Sequence, residues 1–332
     1  MYFVVEESSW EWDGLDPEAY IERIELFLDR LDAARERDEV FSASTELLRQ
    51  HVVGDHVLAD ILWKGCAGVQ FSHDISERIN THFGIMTFWD EEQGFVEFEA
   101  AVDDEAIISP SAVYVHSLAT SGRAIACIPL PGKWKGVHTL NVGNESRPIY
   151  FVVDEVTHRE FFRTTIASKA TDELLEPLAP HAFPDTYFVE DLWRGVRDFR
   201  GGYAHVRKDL LTFLARFDDH ARWIWTDQSG RISRDEMLEA DSSSPQPVTE
   251  ALVTRRFRAL GVEVSTETRE VASTARLRRQ REREVGGRLV YCEWHYKIER
   301  HQNRVHVHEP VIESGGRAVI AIFHEHLDLP GD

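Results

Sequence analysis

The stretch from Gly287 to Asp332 constrains the fold more than any other part of this 332-residue chain. It contains three strand-like runs, Leu289–Ile298, Arg304–Val311 and Arg317–His324, with turns at His301–Asn303 and Glu313–Gly316. Side chains two apart share a strand face. Glu293, His295 and Lys297 therefore fall on one face of the first run, with Trp294, Tyr296 and Ile298 on the other. Arg304, His306 and His308 likewise oppose Val305 and Val307. Paired as a hairpin, the first two runs give one apolar face and one face of carboxylate, imidazole, ammonium and guanidinium. The third run is apolar on both faces from Ala318 to Phe323, as a central strand is, and ends in His324-Glu325-His326. Six of the chain's 16 histidines lie in this stretch.

Upstream, Asp16-Pro17 supplies a helix cap and a first-turn proline. Tyr20, Ile21, Ile24, Phe27, Leu28 and Leu31 then recur at helical spacing to about Arg35, and a second helix is expected at Ser44–Gln50. Met1–Glu6 reads as a strand. Short apolar runs at Phe95–Ala101, Val113–Leu118, Arg123–Ile128 and Ile149–Val153 read as further strands, with turn signals between them. Asp103-Asp104-Glu105 reads as a solvated turn. Phe162–Phe217 reads as mostly helical, broken by Pro177, Pro180 and Pro184, and its aromatic residues suit a packed core. Asp227–Glu236 mimics a calcium loop, but Trp225 occupies the first ligand position, so a turn is expected. Ser242–Pro247 reads as a linker. Beyond it come helices at Val248–Leu260 and about Val271–Glu284, the second carrying Arg276, Arg278, Arg279, Arg281 and Arg283. The expected fold class is α+β: an acidic α/β region over 1–160, a helical region over 161–241, and a histidine-rich domain of helices and a small antiparallel sheet over 248–332.

Length and a hydrophobic content of 42% allow a substantial core in two or three domains. No run nears the roughly 18 apolar residues that span a bilayer, and the N-terminus lacks signal-peptide character. Cys66, Cys127 and Cys292 show no CxxC spacing, so neither a disulfide framework nor a cysteine–zinc site is expected. A cytoplasmic protein is the expectation. The net charge of −21 is uneven. Residues 251–332 hold 14 Lys and Arg against 12 Asp and Glu, and residues 1–250 hold 23 against 46. RNA would be repelled by the first part and tolerated by the last. The acidic part suits solubility or a basic protein partner.

The signatures GxxxxGK[ST], GxGxxG after a strand, GxSxG and HExxH are missing, which removes support for several common nucleotide and hydrolase chemistries. Glu6 and Glu7 at the end of the first strand invite comparison with PIN-type nucleases, which place a carboxylate there to hold a divalent metal. No spaced set of further carboxylates accompanies them. Metal-free RNA cleavage needs a base, an acid and cations for the phosphorane, and histidine, arginine and lysine suit those roles. Arg304, His306 and His308, faced by Lys297 and His295, with His324 and His326 at a neighbouring strand end, contain all three. Short helices before a compact sheet, with Arg304 opening a central strand, make residues 250–332 resemble the RelE-type ribonuclease toxins. The EWHYKIE…NRVHVHEP…AIFHEHL pattern also resembles uncharacterised bacterial proteins, some in defence or toxin–antitoxin settings. The RelE resemblance implies Lys297 and Arg304 as phosphate-holding cations and His324 or His326 as the acid. It departs from that family in length and acidity.

The expected activity is thus cofactor-free endonucleolytic cleavage of RNA in a toxin–antitoxin or antiviral setting. Arg304, His306, His308, Lys297, His324 and His326 are the catalytic candidates, and His295, Arg279 and Arg283 the substrate-binding ones. Two alternatives stand beside it. His306-Val307-His308 and His324-Glu325-His326 each place two imidazoles on one strand face, a geometry that binds Zn²⁺ or Mn²⁺, with Glu293 or Glu325 completing the set. Or the hairpin is a non-enzymatic module for nucleic acid or protein.

Overall fold

A computed structural model describes residues 2–12, 14–91, 100–119, 123–225 and 248–331. The chain is α+β and divides into two compact units, Met1–Phe162 and Arg163–Asp332. The helical stretch and the histidine-rich stretch, separate by composition, thus fall in one unit.

The first unit is a sheet in the order β5-β2-β1-β8-β10-β9-β6-β7. Its strands are β1 (Tyr2–Val5), β2 (Val40–Ala43), β5 (Thr87–Phe88), β6 (Ala100–Val102), β7 (Glu105–Ile107), β8 (Ile125–Ile128), β9 (Gly136–Val142) and β10 (Glu145–Phe151), while β3 (His51–Val53) and β4 (His56–Val57) form a separate hairpin. From β5 through β10 the neighbours run parallel. The far half, β10, β9, β6 and β7, is antiparallel. Helix α1 (Pro17–Glu36) makes the first crossover. Asp16 caps it by accepting the Ala19 N–H at 2.8 Å, and Tyr20, Ile24, Phe27, Leu28 and Leu31 are buried. Helices α2 (Leu58–Lys64) and α3 (His73–Ile85) lead to β5.

Two expectations change here. Val113–Leu118 lies in a helix, α4 (Pro110–Ala119), not in a strand. Ser109 Oγ accepts the Ala112 N–H at its start, and Pro110 sits where a proline costs no hydrogen bond. Ser44–Gln50 contributes only a single 3₁₀ turn, Leu47–Arg49. Residues 95–99 of the expected strand at 95–101, the calcium-loop mimic at 227–236 and the linker at 242–247 lie outside the described residues.

The second unit begins within α5 (Glu155–Ser168) and continues through α6 (Leu175–Ala182) and α7 (Gly202–Ile224). Its five-stranded sheet has the order β11-β17-β16-β15-β12, with β11 (Thr186–Phe188), β12 (Val264–Thr266), β15 (Trp294–Lys297), β16 (Arg304–His308) and β17 (Ala318–His324). Only β11 and β17 are parallel. β17 is interior and buried from Ala318 to Phe323, as its two-sided apolar pattern requires. The expected strand at 289–298 is broken at Cys292-Glu293 into β14 (Arg288–Tyr291) and β15, and β14 pairs instead with β13 (Glu282–Val285). The expected helix at 271–284 is likewise divided into Arg269–Ser273, Ala275–Gln280 and β13.

One face of this sheet packs on α7, with Tyr296 stacked on Phe213 at 4.3 Å between centroids. The 3₁₀ segment Leu192–Asp198 runs against β17. Both sheets end on strands of two or three residues: β5 and β7 in the first, β11 and β12 in the second.

Candidate functional site

The register gathers the polar face anticipated from alternation. Lys297 pairs with Arg304 and Arg304 with His324, so the three stand abreast across β15, β16 and β17. Beside them His295 pairs with His306, their ring centroids 5.4 Å apart. His326 is exposed just beyond the end of β17, and its N–H donates to His324 Nδ1 at 3.0 Å. His308 is placed apart. It lies four residues along β16 from Arg304, roughly 13 Å at strand rise, and opposes Val319 beyond a bulge. Its Nδ1 meets the Glu309 carbonyl at 2.8 Å.

Arg304 does not present its guanidinium to a ligand. Nη1 donates to the carbonyls of Glu299 (2.6 Å) and Gln302 (2.8 Å), and Nη2 to that of Arg300 (3.1 Å). The side chain is buried and ties down the turn between β15 and β16. Asn303 shapes the same turn from a left-handed conformation, φ +57°, while its main-chain N–H donates to Glu325 O at 2.6 Å. Among the expected substrate-binding arginines, Arg279 is exposed on the helix Ala275–Gln280. Arg283 Nη1 is spent on the carbonyls of Gln280 and Glu282.

The floor of this face contains residues the sequence did not single out. Glu267, just beyond β12, accepts Arg281 Nε at 2.6 Å, and both side chains are at least 93% buried. Arg281 also donates to Leu277 O and Asp328 O, so it is fixed on three sides. Glu267 Oε1 lies 3.7 Å from His295 Nδ1 and 3.9 Å from His306 Nδ1. Ser265 Oγ is 3.1 Å from His295 Nε2. Burial holds both imidazoles neutral: it pushes His295 down to about 3, aided by the charges of Arg304 and Lys297, and His306 well below the usual histidine range. Neither ring is an acid at neutral pH. Glu293 lies in the break before β15 and is exposed, and burial of part of its side chain raises its carboxyl. No local spacing betrays Glu267, because only the pairing of β12 with β15 brings it to the histidines.

A second concavity lies in the first unit, beside the carboxyl end of β1 and bounded by β6, β7 and the start of α4. The cavity measures about 1180 Å³ and is lined by Glu7, Arg49, Gln50, Ile107, Ser109 and Asn141 among others. The carboxylates that invited the PIN-type comparison are engaged within the fold. Glu6 accepts the N–H groups of Ser8 (2.7 Å) and Ser9 (3.0 Å). Glu7 accepts Ser109 Oγ (2.8 Å), the Ser111 N–H (3.2 Å) and Ser111 Oγ. Asp90, past β5, accepts Ser44 Oγ, the Thr45 N–H and Thr45 Oγ1. Burial, with Glu6 adjacent, raises the Glu7 carboxyl to about 8, so it holds a proton at neutral pH. A protonated acid bonded to two serines is a poor cation ligand.

Among the described residues, no helix is long and apolar enough to cross a membrane. No protein-family model matches the chain, and neither a curated protein nor a solved structure matches it.

Proposed function

We propose that the chain cleaves RNA at the half-buried face of β15, β16 and β17. The observation that carries this reading is the register, which sets Lys297 and His324 on the strands either side of Arg304, with His326 just past the end of β17, on a face floored by buried imidazoles. The chemistry follows the RelE-type comparison for residues 250–332, with changed assignments. Lys297 is the cation that meets the phosphate. His324 accepts the His326 N–H on Nδ1, so its ring is neutral and takes the 2′-hydroxyl proton. His326, exposed beside it, gives a proton in its imidazolium form to the leaving 5′-oxygen. The 2′-oxygen attacks phosphorus, the P–O5′ bond breaks, and the products are a 2′,3′-cyclic phosphate and a 5′-hydroxyl. Arg304 keeps the turn in shape, and His308 stands outside the reacting group.

The test uses the full-length chain with end-labelled RNA, against a variant carrying His324→Ala and His326→Ala. Cyclic phosphate ends should form, and should fall by about 10²-fold or more in the variant, the usual loss when acid–base groups go. Induced expression in a bacterial host should arrest growth only with the unaltered chain, as a toxin or defence role requires. Equal cleavage by both proteins, or none by either while both are folded, removes the reading.

A further inference from the structure

We propose that Glu267, His295 and His306 hold a first-row divalent cation, of which zinc fits best. One donor atom from each residue lies within 4.8 Å of the other two. The two carboxylate–imidazole separations are 3.7 and 3.9 Å. In a tetrahedral site with bonds of about 2.0–2.1 Å, neighbouring donors stand roughly 3.3 Å apart. The carboxylate therefore needs to close on each imidazole by only about half an ångström, and the two imidazole nitrogens on each other by at most about 1.5 Å. The alternation-based pairs, His306 with His308 and His324 with His326, are not the set the fold assembles. The site draws instead on β15, β16 and the residue just past β12.

Two further features point to a ligand. His295 Nδ1 is buried, has no hydrogen-bond partner, and faces Glu267. A buried imidazole nitrogen left without a partner keeps its lone pair open to a metal. The opposite nitrogen is engaged by Ser265 Oγ, the outer contact that commonly orients a ligating histidine. The contact between His306 Nδ1 and the Cys292 carbonyl is 3.4 Å, at the long limit of a hydrogen bond, so metal binding sacrifices little there.

Arg281 acts in both directions. It orients the Glu267 carboxylate, as an outer-shell partner does, and its charge opposes a dication. The site should therefore bind more weakly than a closed structural zinc centre. The inference deepens the cleavage reading and rests on it only for what the ion does there: a polarising centre beneath the phosphate. Occupancy itself can be read without any cleavage.

The experiment titrates chelator-treated full-length protein with Zn²⁺ by calorimetry, and with Co²⁺ by its visible absorption. One zinc per chain is expected, with the intense visible bands of tetrahedral cobalt. His295→Ala should abolish that equivalent while circular dichroism stays unchanged. Ser265→Ala should weaken binding by roughly 10- to 100-fold, the usual range for an outer-shell contact. The variant lacking His324 and His326 should still bind one zinc. No binding by the unaltered chain, unchanged binding in His295→Ala, or loss of binding in the His324/His326 variant overturns the proposal. Zinc bound without RNA cleavage leaves the inference standing and removes the function. Undiminished cleavage by His295→Ala does the reverse when the unaltered chain binds no zinc.

Discussion

At the scale of the residue, two charged groups behave against their first impression. Arg304 opens a strand on a basic face, yet its three carbonyl contacts make it a clamp on the turn at 299–303. The sequence shows the alternation that places it on the face, but not the long side chain folding back over its own turn. Glu7 follows a strand as a catalytic carboxylate would, yet burial keeps it protonated near neutrality. Its folded-state pKa is raised, so its contribution to stability is complete below the unfolded value near 4.5 and is lost as pH rises through about 8. Each pH unit in that window costs up to about 1.4 kcal/mol. Glu7→Gln keeps the shape and removes the titration. Urea denaturation from pH 5 to pH 9 should therefore show a shallower loss of stability in the variant. Parallel profiles would mean that Glu7 is not buried as a neutral acid.

At the scale of the element, the 3₁₀ segment Leu192–Asp198 lies so close to β17 that a Cβ on Gly195 would overlap the Phe323 carbonyl oxygen. Gly195→Ala must push the segment off the central strand and disturb the packing of Phe323 on Trp193 and Phe199. A loss of about 2–4 kcal/mol in denaturation is expected, the range of overpacked core positions and beyond; a change under about 0.5 kcal/mol would contradict so close an approach. Elements differed in how plainly the sequence announced them. Helix α1 was legible because Asp16-Pro17 marks its start and one apolar stripe runs its length. Helix α4 was not: Pro110, Ser111, Ala112, Val113, Val115 and His116 are all buried, so no helical stripe survives, and two valines imitate a strand. The hairpin face around His295 and His306 was legible because a two-residue period needs no tertiary knowledge. Glu267 and Arg281 were not, because strand pairing and a buried ion pair bring them in from separate elements.

At the scale of the whole molecule, the charge imbalance is a cost spread over the surface. With a net charge of −21, like charges repel in the folded state more than in the expanded chain. Screening shortens that repulsion to about 10 Å at 0.1 M salt. The thermal midpoint should therefore rise by a few degrees, about 1 kcal/mol for units of this size, between low salt and 0.2 M sodium chloride. A falling midpoint would show that the surface ion pairs, such as Arg78 with Asp29 and Asp32, outweigh the repulsion.

The short outer strands bear on the same question of how copies of the chain meet. An open sheet offers unpaired N–H and C=O groups along its rims, and a long flat rim is a template on which another chain can add a strand. Here β5, β7, β11 and β12 give two or three residues each, too few to seed a stable added strand. Their flanks carry Glu105 on one rim and Glu263 on another, both exposed. Among the described residues, the two open sheets of this strongly acidic chain are thus each closed to growth at the edge, which works against fibrillar stacking even where salt removes its charge repulsion.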